Sequence, residues 1–173
     1  MRTSTQPALG AIRLAWWREA LERLDHSDPP AEPRLQAIAS QLLPRGVSGA
    51  TLAEIEDGFA ALLEEAPDAE RVGKSGVALF KCAAKLLGAD DPSLEVAGAA
   101  HALARAMRNG CIEPMKHRAD ALAGYRFSRS IRPITAFARL AVRDLRQVPA
   151  VEPEATPARA AALLSHRLFG TVA

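Results

Sequence analysis

The chain has 173 residues, enough for one domain with a hydrophobic core, and contains two cysteines, Cys82 and Cys111. Two cysteines exclude a disulfide framework or a cysteine-rich zinc site, and no apolar run reaches the length of a membrane-spanning helix or a secretory signal. The net charge of +2 is uneven, because residues 1–115 carry −4 and residues 116–173 carry +6. We therefore expect a soluble, cytoplasmic protein. Its basic C-terminal part suits a solvated face over the acidic part, or contact with nucleic acid, an anionic membrane surface or a diphosphate.

The composition favours helices, because alanine is the commonest residue and aromatic residues make up only 5% of the chain. Apolar spacing and punctuation predict about eight helices and no strands. The predicted helices cover approximately residues 11–25, 35–43, 51–65, 68–87, 92–109, 114–125, 133–148 and 158–169. The predicted fold is therefore an all-α, single-domain bundle over residues 1–173. A flexible N-terminus at 1–10 and a proline-rich linker at 149–157 complete the prediction.

Local signals predict where several helices begin and end. Thr51 and Glu54 form a T-x-x-E pattern, which predicts that Thr51 caps the third helix. Gly88 and Gly110 follow the fourth and fifth helices, at the position where a left-handed backbone conformation ends a helix. In the third helix, the apolar spacing predicts an inward-facing stripe of Leu52, Ile55, Phe59, Leu62 and Leu63.

Two further patterns concern side-chain packing. The apolar stripe of the first helix places Trp16 inward and Trp17 to one side, so Trp16→Ala is expected to cost more stability than Trp17→Ala. Gly73, Gly76 and Gly98 lie inside predicted helices, where each glycine costs about 1 kcal/mol relative to alanine. They predict close helix–helix packing, with a kink lining a cavity as the alternative.

Residues with chemical potential are few. The four histidines have no metal-ligand spacing to one another or to a cysteine, and are His26, His101, His117 and His166. Arg139, Arg143 and Arg146 fall at i, i+4 and i+7 on one face of the seventh helix. They form a candidate membrane or partner face, and the alternative is an ordinary outer helix of a bundle.

Six apolar helix motifs occur in a distinctive order along residues 12–148. They are RLAWWR (13–18), PPAEPRLQAIASQLLP (29–44), LAEIEDGFAALL (52–63), GVALFKCAAKLLG (76–88), AGAAHALARAMR (97–108) and RPITAFARLAVRDL (132–145). In this order they resemble the squalene/phytoene synthase family. That resemblance implies part of the helical isoprenoid synthase fold, in which two Asp-x-x-x-Asp motifs hold Mg²⁺ on prenyl diphosphates during head-to-head transfer.

The resemblance also implies that the metal site is degenerate. Asn109 and Glu113, next to Arg108, stand where the second motif has its aspartates, and residues 1–12, where the first motif would lie, contain no acidic residue. One carboxylate would hold Mg²⁺ poorly, since this ion needs several oxygen ligands. No catalytic or metal-binding residue is therefore assigned. No cofactor is expected, and Mg²⁺ would be needed only by an active enzyme.

Three functions remain as hypotheses. The first is a family-like module without prenyl-transfer activity that binds a lipid, an isoprenoid or a protein partner, as implied by divergent family members linked to respiratory complex I assembly. The second is a head-to-head prenyltransferase, alone or with a second chain. The third is a peripheral membrane adaptor using the basic C-terminal helices. Homo-oligomers are compatible with the sequence. No nucleic-acid partner is expected, and the location is cytoplasmic, with contact to the inner membrane as an option.

Overall fold

The computed structural model describes residues 7–113 and 119–172, and these residues fold into seven α-helices joined by short loops. The helices are α1 (Pro7–Arg23), α2 (Pro33–Gln41), α3 (Gly49–Ala61), α4 (Ala69–Leu86), α5 (Leu94–Arg108), α6 (Arg132–Arg146) and α7 (Pro157–Phe169). Two 3₁₀ turns, Leu43–Arg45 and Ala119–Leu122, lie between helices. The described residues form no strand, only an isolated bridge between Arg126 and Thr171. The all-α prediction is confirmed, as one compact domain.

Helix ends that carry strong capping signals agree with the sequence. The Asp68 carboxylate accepts a hydrogen bond of 2.8 Å from the Glu70 N–H at the start of α4. Gly88 and Gly110 follow α4 and α5 with φ values of 69° and 67°, a conformation that side chains with a Cβ rarely adopt. These residues confirm the predicted ends of the two central helices and the predicted start of α4, whereas α5 begins at Leu94, two residues after the predicted start at 92.

The start of α3 differs from the prediction. Ser48, not Thr51, is the N-cap residue, and its hydroxyl accepts a hydrogen bond of 3.2 Å from the Thr51 N–H. The Asp25 carboxylate also accepts from the N–H groups of Gly49 and Ala50, at 2.6 and 2.9 Å. Because a side chain from α1's C-terminal turn satisfies these free N–H groups, α3 begins three residues earlier than Thr51 would allow.

Two other segments also depart from the predicted helices. The predicted helix over 114–125 begins at residues 114–118, which lie outside the described part of the chain, as does His117. Its remaining residues form only the 3₁₀ turn Ala119–Leu122, followed by Gly124 with φ 72°, so a helix there is wrong. Helix α1 begins at Pro7 and includes residues 7–10, which the prediction assigned to a flexible N-terminus.

Backbone contact between α4 and α5 forms the centre of the bundle. A Cβ on Gly98 would lie 2.3 Å from the carbonyl oxygen of Gly76, and a Cβ on Gly76 would lie 2.1 Å from that of Gly98. A Cβ on Gly73, by contrast, would make ordinary contacts, the nearest at 3.7 Å with Ala99. The close-packing prediction is confirmed for Gly76 and Gly98. The main core lies beside this contact and includes Phe80, Leu94, Phe127, Ile131 and Val142.

The α1–α3 contact places small residues inside and several large apolar residues outside. Ala53 and Ala61 of α3 are buried, whereas Phe59 and Leu63 are 50% and 48% exposed. A Cβ on Gly58 would lie 2.1 Å from the Ser75 hydroxyl oxygen, so α3 approaches α4 through small side chains. The predicted inward stripe of α3 is therefore wrong for Phe59 and Leu63, because close approach selects small residues for the interface, whereas Leu52 and Leu62 pack against the core.

The tryptophan prediction is reversed in the structure. Trp16 is 46% exposed, whereas Trp17 packs against the cluster that contains Ala20, Leu21 and Leu35. The two indole rings contact each other edge to face, with their centroids 5.2 Å apart. Trp17, and not Trp16, is therefore the core-facing residue of α1.

Candidate functional site

Three arginines of α6 line one cavity of about 240 Å³, which we call the arginine pocket. The arginines that line it are Arg139, Arg143 and Arg146. The other lining residues are Val142 and Gln147, from α6 and its C-cap, and Val172 of the C-terminal tail. Their spacing of four and three residues predicts that the three arginines share one face of the helix, and in the structure all three line this cavity. Among the described residues, none of those that line the pocket is acidic.

Arg139 is the least satisfied of these cations. One of its Nη atoms donates to the carbonyl of Val172, but its Nε is buried and has no hydrogen-bond partner among the described residues. Burial lowers the pKa of Arg139, and the like charges of Arg143 and Arg146 lower it further. The pocket is therefore electropositive and holds one buried donor without an acceptor.

Carboxylates partly neutralise the charges of the other two arginines of the pocket. Arg143 Nε donates to Glu152 Oε2 at 2.5 Å, and this hydrogen bond is the main cause of the lowered pKa of Glu152. Arg146 lies 3.5 Å from a carboxylate oxygen of Asp120, whose side chain is 88% exposed. An exposed pair at this distance contributes little, so the three cations have about one well-placed counter-charge.

Carboxylates from the acidic part of the sequence do not neutralise these cations. In the described residues, Arg143, Arg146 and Arg159 pair only with carboxylates that follow residue 115, while Arg18 and Arg71 pair only with carboxylates that precede it. Of these ion pairs in the described residues, none joins the basic C-terminal part to the acidic part, so they do not neutralise the charge asymmetry between the two parts.

Exposed apolar side chains lie at the end of α7, next to the tail that forms one wall of the pocket. Leu164, Leu168 and Phe169 are each more than half exposed. Arg132 donates to the Leu168 carbonyl at 2.9 Å, and Arg126 donates to that of Phe169 at 3.1 Å. Basic and apolar groups thus meet at one end of this helix.

The residues that the family resemblance singled out do not form a site. Asn109 is the C-cap of α5, Gly110 turns the chain, and Glu113 follows as an exposed residue outside the helix. Asn109 and Glu113 therefore do not share a helix face. Arg108 is mostly buried and donates to the Glu152 carbonyl at 2.9 Å.

Arg108 also belongs to a buried ion cluster that joins three helices. It lies 3.2 Å from Asp144 Oδ1, and Arg159 of α7 contacts both Asp144 oxygens. Asp144 is 2% exposed and Arg159 is 7% exposed. Because both charges are buried and hydrogen-bonded, this cluster holds α5, α6 and α7 together.

Sequence reasoning missed a second ion cluster, between α1, α3 and α4. Asp57 accepts from Arg18 and Arg71, with Arg71 Nε at 2.8 Å from Oδ2, and Glu56 accepts from Arg18 Nε at 3.0 Å. The hydrogen bonds from Arg71 lower the pKa of Asp57 to about 2. The adjacent Glu56 and Asp57 within an apolar helix were the available signal.

Two of the histidines in the described part of the chain, His101 and His166, serve packing, whereas His26 is exposed. His166 is fully buried, with Nε2 at 2.9 Å from the Thr135 hydroxyl and Nδ1 at 2.8 Å from the Thr171 carbonyl. His101 lies between the rings of Phe80 and Phe137. Within residues 7–113 and 119–172, no three histidine, cysteine or carboxylate side chains are grouped as a metal would need, and no helix is long and apolar enough to cross a membrane.

Comparison with protein-family models, curated proteins and solved structures finds no match to this chain. The resemblance to squalene/phytoene synthases therefore stays a prediction that depends on the order of the six sequence motifs. The arginine pocket does not depend on that resemblance.

Proposed function

We propose that this chain is a helical module, similar to squalene/phytoene synthases but without prenyl-transfer activity of its own, that binds a phosphate-bearing lipid or isoprenoid. The observation that carries the proposal is the arginine pocket, where Arg139 keeps a buried, unpartnered Nε beside Arg143 and Arg146. A bound phosphate would accept from that Nε and reduce the repulsion among the three cations.

The chemistry of the pocket favours phosphate over a carboxylate ligand. Guanidinium groups present a planar set of donors that fits phosphate oxygens, and charge-assisted hydrogen bonds of this kind are stronger than neutral ones. Three arginines match the two or more negative charges of a phosphate monoester or diphosphate. A single carboxylate would leave most of the positive charge uncompensated.

The end of α7 supports an amphiphilic ligand rather than a free anion. Val172 lines the arginine pocket and is three residues from Phe169, which is 55% exposed next to the exposed Leu168. A phosphate head in the pocket would therefore have exposed apolar side chains nearby for a hydrocarbon tail. This arrangement also favours contact with an anionic membrane surface, which we place at the cytoplasmic face of the inner membrane.

The prenyltransferase alternative has less support from the geometry. It needs paired carboxylates on a shared helix face, whereas Glu113 lies beyond the turn at Gly110 and Asn109 is a C-cap residue. Incubation with farnesyl or geranylgeranyl diphosphate and Mg²⁺ tests it. A product that Asn109→Ala or Glu113→Ala abolishes would replace our proposal with that enzyme.

Vesicle flotation tests the proposed function. We expect the full chain to float with phosphatidylglycerol vesicles and not with phosphatidylcholine vesicles. The double variant Arg139→Gln/Arg143→Gln should weaken flotation about tenfold or more, through the loss of charge-assisted contacts. The matched double variant Arg13→Gln/Arg105→Gln removes the same charge at two exposed positions and should retain most of the binding.

Two outcomes would contradict the proposal. One is equal flotation with both vesicle types, which would mean that the phosphate charge is not recognised. The other is an equal loss in the two double variants, which would mean that only net charge matters. Competition by inorganic pyrophosphate separates the contributions of the pocket and of the apolar end of α7, since pyrophosphate carries no hydrocarbon.

A further inference from the structure

A second cavity, of about 350 Å³, lies between α1 and α3, far along the chain from the arginine pocket. One side is apolar and includes Leu14 and Leu63, while Glu19, Glu22 and Glu64 supply acidic groups. We call this cavity the acidic groove. It combines an apolar wall with negative charge, a combination that suits a cation with a hydrocarbon stem.

Glu56 makes the acidic groove more than a cluster of surface carboxylates. It lines the cavity, its side chain is 7% exposed, and its Oε2 accepts a hydrogen bond of 3.0 Å from Arg18 Nε. Its Oε1 is buried and has no hydrogen-bond partner in the described structure. Burial raises the pKa of Glu56, against the lowering effect of Arg18. One hydrogen-bond donor is therefore missing beside this carboxylate.

Arginines already pair with three of the glutamates that line the groove in the described structure. Arg23 binds Glu19, Arg18 binds Glu56 and also Asp57, and Arg71 binds Glu64 and also Asp57. Glu22 forms no ion pair within the described ranges. Of the described lining residues four are glutamates and one is an arginine, and Arg23 and Arg71 offset part of that negative charge, which leaves Glu22 and one oxygen of Glu56 without a partner.

We propose that the acidic groove binds a small aliphatic amine, whose ammonium group donates to Glu56 Oε1 and whose stem packs on Leu14 and Leu63. An ammonium group supplies three donors and one positive charge, which is what one unpartnered carboxylate oxygen requires. A divalent metal ion would need several converging oxygen ligands and would leave the apolar wall unused. This site is independent of the arginine pocket.

Calorimetric titration of the full chain with butylamine and with putrescine tests the proposal. We expect saturable binding of at least one of these amines at constant ionic strength. Butanol, which has the same stem without the charge, and Mg²⁺, which has the charge without the stem, should bind at least tenfold more weakly. Binding of butanol or Mg²⁺ as tight as that of the amines would overturn the proposal, as would no binding of either amine.

Variants locate the binding site. Glu56→Gln keeps the shape but places an amide at the carboxylate, and should weaken amine binding about tenfold or more. Ala15→Phe changes an exposed residue of the cavity wall, should fill the groove, and leaves Glu56 intact. Glu95→Gln is the control, because this exposed carboxylate pairs with Lys81 outside the groove.

Each variant is first checked for cooperative unfolding, so that loss of binding is not loss of fold. If Glu56→Gln does not fold, amine binding by the Ala15→Phe variant alone tests the site. Unchanged amine binding in the folded variants overturns the site. Arg139→Gln should bind amines as the wild type does, so failure of this inference and failure of the phosphate proposal are distinguishable.

Discussion

The acidic groove and the arginine pocket use similar chemistry with opposite sign. Each contains one buried polar atom without a partner, Oε1 of Glu56 in the groove and Nε of Arg139 in the pocket. The helices between them pack in series, α3 on α4, α4 on α5 and α5 on α6. The charge asymmetry of the sequence therefore persists in the fold as two separate surfaces, the acidic groove and the arginine pocket, which do not neutralise each other. Under the two proposals, unneutralised charge marks the binding sites, whereas paired charge holds helices together.

The largest expected effect contrasts the paired charges of the two regions. Asp144→Ala should lower the free energy of unfolding by about 3–5 kcal/mol, because it leaves Arg159 buried without its partner. Asp57→Ala should cost about 1 kcal/mol, since its carboxylate is 27% exposed and water screens its ion pairs. Urea denaturation measures both values. Equal costs would mean that burial does not separate the two clusters.

The pH dependence of Asp57 follows from its lowered pKa. Its ionised form is favoured in the folded state, so its stabilisation is present above the ordinary value of 3.8 and is lost as the pH falls through about 2. Asp57→Asn should therefore reduce the acid sensitivity of unfolding in this range. An unchanged profile would contradict the role assigned to Arg71.

The next effect concerns the α4–α5 contact that separates the two sites. Gly98→Ala should cost about 3 kcal/mol, because its Cβ would meet the backbone of Gly76 at 2.3 Å and both helices must move. Gly73→Ala is the matched control and should be neutral or stabilising by up to about 1 kcal/mol, since its Cβ has room and alanine favours helix. Thermal and urea unfolding measure the stability loss in each variant. Similar losses in the two variants would contradict the close contact at Gly98.

A smaller effect tests the reversed tryptophans of α1. Trp17→Ala should cost about 2 kcal/mol, because it removes apolar surface that packs on Leu21 and Leu35. Trp16→Ala should cost about 0.5 kcal/mol or less, as expected for an exposed position. A larger loss at Trp16 than at Trp17 in urea unfolding would restore the sequence-based orientation of this helix.

The smallest effect is a pH slope near neutrality. Burial lowers the pKa of His166, so the folded state keeps the imidazole neutral while the unfolded chain binds a proton below about 6.5. Stability should therefore fall as the pH drops through this value. His166→Gln should reduce the slope of the urea midpoint between pH 7.5 and 5, and His101 should maintain part of it. A slope that His166→Gln leaves unchanged would contradict the burial argument.

The sequence predicted what depends on local spacing and missed what depends on the size of contacting residues. Gly88 and Gly110 act on their own helix ends, and their signals were read correctly. The stripes of α1 and α3 failed only in part, because hydrophobicity alone favours Trp16 and Phe59 inside, whereas Leu21 of α1 and Leu24 just after it are buried and Leu52 of α3 packs on the core. The close approach of the backbones instead selects alanine and glycine for the interface, and leaves large side chains at the rim.

The two candidate sites differ in the same way. The arginine pocket was accessible from sequence because Arg139, Arg143 and Arg146 lie on one helix, and their spacing places them together. The acidic groove requires Arg18 of α1 to meet Glu56 of α3, a contact 38 residues apart that no local pattern encodes. Only the packing shows that one oxygen of Glu56 has no partner.

The most direct test of the central claim is nitrogen–proton NMR of the arginine Nε–H groups during titration with inorganic pyrophosphate. Our account predicts saturable shifts for Arg139 and its pocket neighbours Arg143 and Arg146, with the largest change at Arg139. The paired Arg18 and Arg71 of the other cluster should stay unchanged. Equal shifts in all five arginines, or none in the pocket, would contradict the claim that the arginine pocket binds phosphate.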